Sequence, residues 1–187
     1  MLNNKTVFPR GDTDIETYLV KKIKKGNQEA FESLLIHYKG YLYKIAYSYV
    51  KNKECALDII QESTYKAWMN IHTLKNQKVF KSWITKILIN TAINSIKKES
   101  KIISLDEDTP LIYEEVGVSI EEKLDLYKAI DLLKPKYKTV IILKYFNDIK
   151  IEEISEILDL PVNTIKVQLK RARESLSNIL KEDYLNE

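Results

Sequence analysis

The chain has 187 residues, of which 44% are hydrophobic and 30% charged, and its formal net charge is +3. This length suits one domain or two small ones, and the hydrophobic content is too high for a chain that is disordered throughout. One cysteine, Cys55, excludes an intramolecular disulfide, and two histidines leave no plausible zinc set, so no cofactor is expected.

The first residues are polar and interrupted by Pro9 and Gly11, which predicts a loose tail over residues 1–14. They lack the basic-then-apolar pattern of a signal peptide. No run of about eighteen apolar residues follows, so no membrane span is expected and the protein is predicted to be cytoplasmic.

Apolar residues then recur at helical spacing through the first half of the chain. The sequence has only 4 Gly and 4 Pro, which favours helices over a turn-rich β fold. The predicted helices cover Ile15–Lys25, which ends at Gly26, then Glu29–Tyr38 and Tyr41–Val50 on either side of Gly40, Glu54–Ile71, and Val79–Lys98. These four or five helices are expected to form one small bundle over residues 15–98.

Acidic residues mark one face of the helix predicted over Glu54–Ile71. Asp58 and Glu62 are four residues apart and share a face with Gln61. By themselves, they indicate a solvated helix face. The same helix is expected to turn a second set of side chains inward: Leu57, Ile60, Thr64, Ala67, Trp68 and Ile71.

A basic and amide-bearing stripe marks the next helix, Val79–Lys98. Lys86, Asn90 and Asn94 recur at every fourth residue, so they line one side of it. Lys97 extends the stripe, and Lys75 and Lys78 lie in the polar loop before the helix. Phe80 and Trp83 are candidates for stacking on bases, although core packing is the favoured interpretation for Trp83.

The segment between the two halves of the chain is acidic, whereas the regions on either side of it are basic. From Ile102 to Glu122 there are seven acids and no Lys or Arg, and Pro110 and Gly117 interrupt the segment. This predicts a flexible acidic linker over residues 99–119. Basic residues concentrate on either side of it, in Lys75–Lys101 and Lys134–Arg173.

The second half, residues 120–182, is predicted to be a small helical domain that contains a helix-turn-helix. Helices are expected over Ile120–Leu133 and from Pro135 to Phe146. The motif itself is Ile151–Leu158, a break at residues 159–161, and the basic helix Val162–Leu176. The side chains expected to hold its two helices together are Leu158, Leu160, Ile165 and Leu169.

The second helix of such a motif lies in the DNA major groove, where its N-terminal half reads bases and other residues contact phosphates. Lys166, Gln168 and Lys170 are therefore the candidates for reaching bases. Arg171 and Arg173 are expected to contact the DNA backbone or to stabilise the domain.

Over most of its length, from about Lys24 to Leu180, the chain resembles an extracytoplasmic-function (ECF) sigma factor, a small two-domain bacterial transcription initiation factor of the sigma-70 family. The resemblance rests on segments in a set order. In the first half these are AFESLLIHYKGYLYKIAYSYV, ALDIIQESTYKAW and VFKSWITKILINTAINSIKK; in the second half they are LKPKYKTVIILKYF and EEISEILDLPVNTIKVQLKRARESL.

The resemblance implies an all-α protein that binds core RNA polymerase and promoter DNA and has no small-molecule substrate. It implies that the DIIQE segment docks on polymerase, the basic stripe holds the melted −10 element, and the helix-turn-helix reads the −35 element. The acidic linker would follow the polymerase channel that later holds RNA, although a solvated tether is an equal alternative. The family also commonly has an anti-sigma factor, often anchored in the membrane.

The residues that the resemblance assigns fall into three sets. The polymerase set is Asp58, Gln61 and Glu62. The −10 set is Lys75, Lys78, Phe80, Lys86, Asn90, Asn94 and Lys97. The −35 set is Asn163, Thr164, Lys166, Gln168, Lys170, Arg171 and Arg173.

The helix-turn-helix departs from the family pattern at several positions. Family members usually carry Gly where Asn163 stands, which is a mild change because Asn tolerates similar backbone angles. They carry Ser and then Arg where Val167 and Gln168 stand, and often Ser or Thr where Lys150 stands. The missing basic residue at Gln168 predicts a distinct −35 preference.

Two other functions compete with this interpretation. One is a self-standing helix-turn-helix regulator that acts without polymerase, although no heptad for dimerisation is seen and the first domain would then have no role. The other is an adaptor that mimics a sigma factor without using promoters. His37, His72 and Cys55 lack partner residues for catalysis, so an enzyme is not expected.

Overall fold

A computed structural model describes residues 13–103 and 120–185, and the side chains of residues 14–98 and 126–181. The secondary structure within these ranges is helical, with no strand. Residues 1–12 of the predicted tail and residues 104–119 of the predicted linker lie outside the described residues.

Eight α-helices are described, and they fall into two compact units that divide between Ala92 and Ile93. The first four are α1 (Thr13–Ile23), α2 (Gln28–Val50), α3 (Lys53–Asn70) and α4 (Phe80–Ile103), with short 3₁₀ segments at Ile71–Thr73 and Gln77–Val79. The others are α5 (Ile120–Asp131), α6 (Pro135–Ile141), which continues as a π-helical turn over Ile142–Phe146, α7 (Ile151–Leu158) and α8 (Val162–Leu185). The predicted all-α fold with a helical bundle and a helix-turn-helix is confirmed.

Two helix ends differ from the sequence expectation by more than two residues. The fourth helix continues to Ile103, into the segment predicted as linker, and α8 continues to Leu185 although its sequence predicted an end near Leu176. In α8 neither Gly nor Pro interrupts the helix, so it continues past Leu176.

A tight turn joins α1 to α2. The N–H of Gly26 donates to the Ile23 carbonyl at 2.8 Å, and the N–H of Asn27 donates to the Lys22 carbonyl at 3.2 Å. This is the hydrogen-bond pattern of a helix end closed by a left-handed residue, and Gly26 has φ +84°. The Asn27 side chain then caps α2 by accepting from the Ala30 N–H at 2.7 Å. The predicted role of Gly26 is confirmed.

Gly40 lies within one uninterrupted helix, whereas its sequence context left open whether the helix divides there. It is exposed, and a Cβ added to it would meet nothing within 4 Å among the described residues. The helix continues because its buried residues keep their spacing across Gly40, with Leu34 and Tyr38 on one side and Leu42 on the other.

Replacing Gly40 by Ala is therefore expected to raise the free energy of unfolding of the first unit by about 0.5–1 kcal/mol, because Ala has less conformational freedom to lose on folding. Both tryptophans, Trp68 and Trp83, lie in this unit. A urea titration followed by tryptophan fluorescence thus measures it separately. The matched control is Gly26→Ala, which should lower stability by about 1–2 kcal/mol because φ there is positive. Equal effects of the two substitutions would contradict the prediction.

The buried side of α3 is not the one expected from the sequence. Leu57, expected to be inward, is 44% exposed, and Ile60, Thr64 and Trp68 are only half-buried. Ala67 and Ile71 are buried as predicted, and the other buried residues of the helix are Ala56, Ile59 and Ser63. The physical reason is that small side chains let α3 pack closely against its neighbours, a preference that counting large apolar residues does not detect.

The helix-turn-helix is held together by side chains on facing sides of α7 and α8. Ile165 and Leu169 are buried as predicted, whereas Leu158 and Leu160 are only half-buried. The α7 contribution comes instead from Ile154 and Ile157, whose three-residue spacing puts them on one side of this short helix.

The turn between α7 and α8 is closed by hydrogen bonds. The Leu160 N–H donates to the Ser155 carbonyl at 3.1 Å, and the Ser155 hydroxyl donates to the Leu160 carbonyl. Asp159, between them, has φ 56°. Asp148, before α7, and Lys51, after α2, also have positive φ. The left-handed residue of the motif is thus Asp159, while Asn163 lies inside α8 and needs no glycine-like angle, contrary to the sequence interpretation.

Candidate functional site

The exposed side of α3 carries the residues predicted to bind polymerase. Asp58, Gln61 and Glu62 are all exposed. The same side also exposes three large apolar residues, Leu57, Tyr65 and Met69, which are 44%, 65% and 54% exposed. We call these six residues the α3 outer face. The apolar half of this face was not predicted from the sequence, because Leu57 was expected to lie in the core.

Glu62 is linked through Lys66 to the neighbouring helix. The Lys66 Nζ lies 2.6 Å from the Glu62 Oε1 and donates to the Thr91 Oγ1 of α4 at 3.3 Å. Glu62 stands one turn before Lys66, which is the favourable order for such a pair on a helix. A single ammonium group therefore connects the α3 outer face to α4.

A groove of about 380 Å³ lies between the end of α3 and α4. Its described lining residues are Lys66, Asn70, Thr73, Trp83, Ile87, Asn90 and Thr91. We call this the α3–α4 groove. Of the seven residues predicted for the −10 element, Asn90 lines it. Lys66, Asn70 and Thr73 were not predicted to belong to this site.

The remaining −10 candidates divide by exposure. Lys75, Lys78, Asn94 and Lys97 are exposed, and Lys86 is half-buried. Since successive residues of an α-helix are rotated by about 100°, Lys86, Asn94 and Lys97 lie on the same side of α4 as Asn90. They are thus positioned along the helix that forms one wall of the groove.

Phe80 is the one candidate that the structure contradicts. It is 0% exposed, and its ring centroid lies 6.0 Å from that of Tyr38 and 5.9 Å from that of Trp83. As the first residue of α4 it fills the core beneath the groove, so its ring has no free face on which a base could stack. Trp83, for which core packing was favoured, is half-buried and lines the groove.

The outward side of α8 contains some, but not all, of the residues in the predicted −35 set. Its packed side consists of Ile165, Leu169 and Ala172, all buried. With about 100° of rotation per residue, the opposite side contains Asn163, Val167, Lys170 and Glu174, and all four are exposed. Lys166 is also exposed and lies at about a right angle to this side. We call the four residues Asn163, Val167, Lys170 and Glu174 the α8 outer side.

The other −35 candidates flank this side. Gln168 and Thr164 are half-buried, and Arg171 and Arg173 are exposed. Val167, which is 47% exposed, was not among the predicted contacts. The spacing in the sequence could have indicated this position, because Val167 is four residues after Asn163 and three before Lys170 and therefore lies on the same side of the helix.

Two further observations concern other functions. Among the described residues, no cluster of three or more His, Cys, Asp or Glu side chains is arranged to hold a metal ion. No helix in the described part of the chain combines the length and apolar character needed to cross a membrane.

Two protein families match the chain in the order of its two halves. Sigma-70 region 2 matches residues 34–102, which include the α3 outer face and the α3–α4 groove. Sigma-70 region 4 matches residues 123–176, which include the helix-turn-helix.

Characterised relatives match over nearly the whole chain. The RNA polymerase sigma factor SigV of Bacillus subtilis is 39% identical over 163 residues, which cover 87% of this chain and 98% of SigV. The ECF RNA polymerase sigma factor SigW of the same species is 32% identical over 178 residues, which cover 87% of this chain and 95% of SigW.

Solved structures have the same fold at lower identity. CnrH, in complex with the cytosolic domain of CnrY, has a TM-score of 0.63 at 20% identity and covers 91% of this chain and 99% of its own. The sigma factor RpoE of Bartonella quintana, in complex with the anti-sigma factor NepR, has a TM-score of 0.59 at 22% identity, covering 81% and 96%.

Proposed function

The chain belongs to the ECF group of sigma-70 factors, which bind core RNA polymerase and direct it to promoters, and on this premise we propose which surfaces perform each task. The α3 outer face docks on polymerase, the α3–α4 groove holds the opened −10 strand, and the α8 outer side reads the −35 element. The observation that carries most weight is the groove, because it combines a ring, two amides and a cation within a single concave surface.

Docking on polymerase is assigned to the α3 outer face because of its mixed chemistry. Asp58 and Glu62 supply the charge that complements a basic partner and fixes orientation. Leu57, Tyr65 and Met69 supply apolar area next to the charges, as interface centres do. The Gln61 amide can donate and accept hydrogen bonds between them.

Strand binding is assigned to the α3–α4 groove because an unpaired base exposes both a flat face and a hydrogen-bonding edge. The half-buried Trp83, which lines the groove, offers apolar contact to the face. The amides of Asn70 and Asn90 can pair with the edge. Lys86 and Lys97, on the same side of α4, follow the phosphates.

The substitution Asn90→Ala is expected to reduce promoter opening more than promoter recruitment, because its amide would meet a base only after the duplex opens. Permanganate reactivity of unpaired thymines measures opening, and a gel shift of the polymerase complex measures recruitment. Gln28→Ala is the matched control, since Gln28 carries an exposed amide on α2 and does not line the groove. Normal permanganate reactivity in Asn90→Ala would remove Asn90 from the strand-binding site.

Duplex reading is assigned to the α8 outer side. Asn163 and Lys170 carry groups that bond base edges or phosphates, and Val167 can contact a thymine methyl group. Arg171 and Arg173, on the flanks, are better placed for phosphates, which position the helix. The half-buried Gln168 is left with a minor role.

The self-standing regulator and the adaptor are disfavoured because both sigma-70 regions match in order. Run-off transcription with and without core polymerase on a promoter library tests all three functions. Specific initiation that needs both proteins supports a sigma factor. Tight sequence-specific binding by the chain alone, unchanged by polymerase, supports the regulator, and polymerase binding without initiation supports the adaptor.

Within this function the polymerase catalyses RNA synthesis and the chain itself catalyses nothing. The chain acts in the cytoplasm, where the polymerase and the chromosome are located. An anti-sigma factor, often anchored in the membrane in this family, is a further partner, and it would cover the polymerase-binding and DNA-binding surfaces while the factor is inactive.

A further inference from the structure

Lys66 stands where two proposed functional surfaces meet. Its ammonium group is 2.6 Å from the carboxylate of Glu62, on the α3 outer face, and 3.3 Å from the hydroxyl of Thr91, in the wall of the α3–α4 groove. Among the described residues that line the groove, it is the one that carries a charge.

An ammonium group has three donors and binds phosphate as a point charge. In the free chain, part of this capacity is taken by Glu62, whose carboxylate also places a negative charge beside the groove. Two effects therefore disfavour the binding of a nucleic-acid strand. The carboxylate of Glu62 repels the phosphates, and the ion pair occupies the ammonium group that would bind them.

We propose that Lys66 is a strand-binding residue that Glu62 restrains until polymerase engages the α3 outer face. A basic group of polymerase that pairs with Glu62 releases Lys66, which then meets a phosphate of the opened strand at the rim of the groove. This inference rests on the proposed docking and strand-binding surfaces and adds a link between them.

The restraint of Lys66 by Glu62 adjusts the affinity for the strand by a modest factor and does not abolish binding. The Lys66 and Glu62 side chains are 39% and 56% exposed, so water and salt screen their attraction. Exposed ion pairs between residues four apart on a helix alter an equilibrium by roughly 1.5- to 2.5-fold. That range fixes the size of the effect to be measured.

The test measures binding of the free, full-length chain to a fluorescein-labelled single strand of twelve thymidines at low salt, by anisotropy. Glu62→Gln is expected to tighten binding about 1.5- to 2.5-fold. Glu62→Gln in a Lys66→Met background is expected to give no such gain. Glu54→Gln is the matched charge control, because Glu54 is exposed on the same helix but about 18 Å from Lys66 along its axis.

The outcomes separate this inference from the proposed function. If Asn90→Ala weakens binding but Glu62→Gln gives no more gain than Glu54→Gln, the groove stands and the restraint of Lys66 is refuted. An equal gain from Glu62→Gln in the Lys66→Met background also refutes it, because the gain would then be a general charge effect. If neither the wild type nor any variant binds the strand, the groove assignment fails, and this inference fails with it.

Discussion

Reversing two charges on the α3 outer face, with Asp58→Lys and Glu62→Lys in one chain, is expected to weaken binding to core RNA polymerase by at least about 100-fold. The reason is that each new ammonium group would face the basic partner that the carboxylate matched, and such like-charge contacts cost several kcal/mol at an interface. Titration of labelled protein with core polymerase measures the loss.

Stability should hardly change in this variant, because Asp58 and Glu62 are exposed and surface substitutions shift stability by about 0.5 kcal/mol or less. Circular dichroism checks this point. The matched control is Glu29→Lys with Glu32→Lys, which gives the same net charge on an exposed part of α2. Wild-type affinity in the Asp58 and Glu62 variant, or equal losses in both variants, would contradict the docking assignment.

Lys170→Ala is expected to weaken the −35 interaction and to leave the −10 preference unchanged. Lys170 lies on the α8 outer side, and its contact with Glu174 is long, at 3.9 Å, with both side chains largely exposed. It is therefore available to DNA. If Lys170 contacts phosphate, the loss should be nearly uniform across −35 sequences, and the salt slope should fall by about one. If it reads a base, the loss should be about 1–3 kcal/mol at one base pair.

Transcription from promoters varied at both elements, at several salt concentrations, distinguishes these outcomes. Lys181→Ala is the control, because Lys181 is an exposed lysine of the same helix beyond the α8 outer side. A Lys170→Ala protein with an altered −10 preference and a normal −35 preference would mean that the two units have been assigned to the wrong elements.

Much of the fold was predictable because local patterns and the tertiary structure agree. Gly26 ends α1. The apolar spacing predicted one helix before and one helix after a break at residues 159–161, and these are α7 and α8. Such agreement between local signals and the global fold is typical of natural sequences. The roles of α3 and α4 came from the resemblance to the sigma-factor family, and the site residues on α3, α4 and α8 stay a prediction.

The parts that could not be predicted depend on which side of a helix packs. On α3, the buried small residues Ala56 and Ser63 carry little hydrophobic signal, so Leu57 appeared to be core. On α4, core packing was favoured for Trp83 and Phe80 was a candidate for base stacking, but Phe80 fills the core and Trp83 lines the groove. The contribution of Lys66 depends on the approach of Thr91 from another helix, and a single sequence contains no information on that distance.

Three turns of this glycine-poor chain leave room for improvement by substitution. Lys51, Asp148 and Asp159 adopt φ values of 51°, 54° and 56°, a region that costs a residue such as Lys roughly 1–2 kcal/mol and costs Asp less, because its short polar side chain can hydrogen-bond locally. All three lie outside the α3 outer face, the α3–α4 groove and the α8 outer side. The chain is thus not at its thermodynamic optimum, and natural or laboratory selection for heat resistance could act on these turns without altering the surfaces assigned to promoter use.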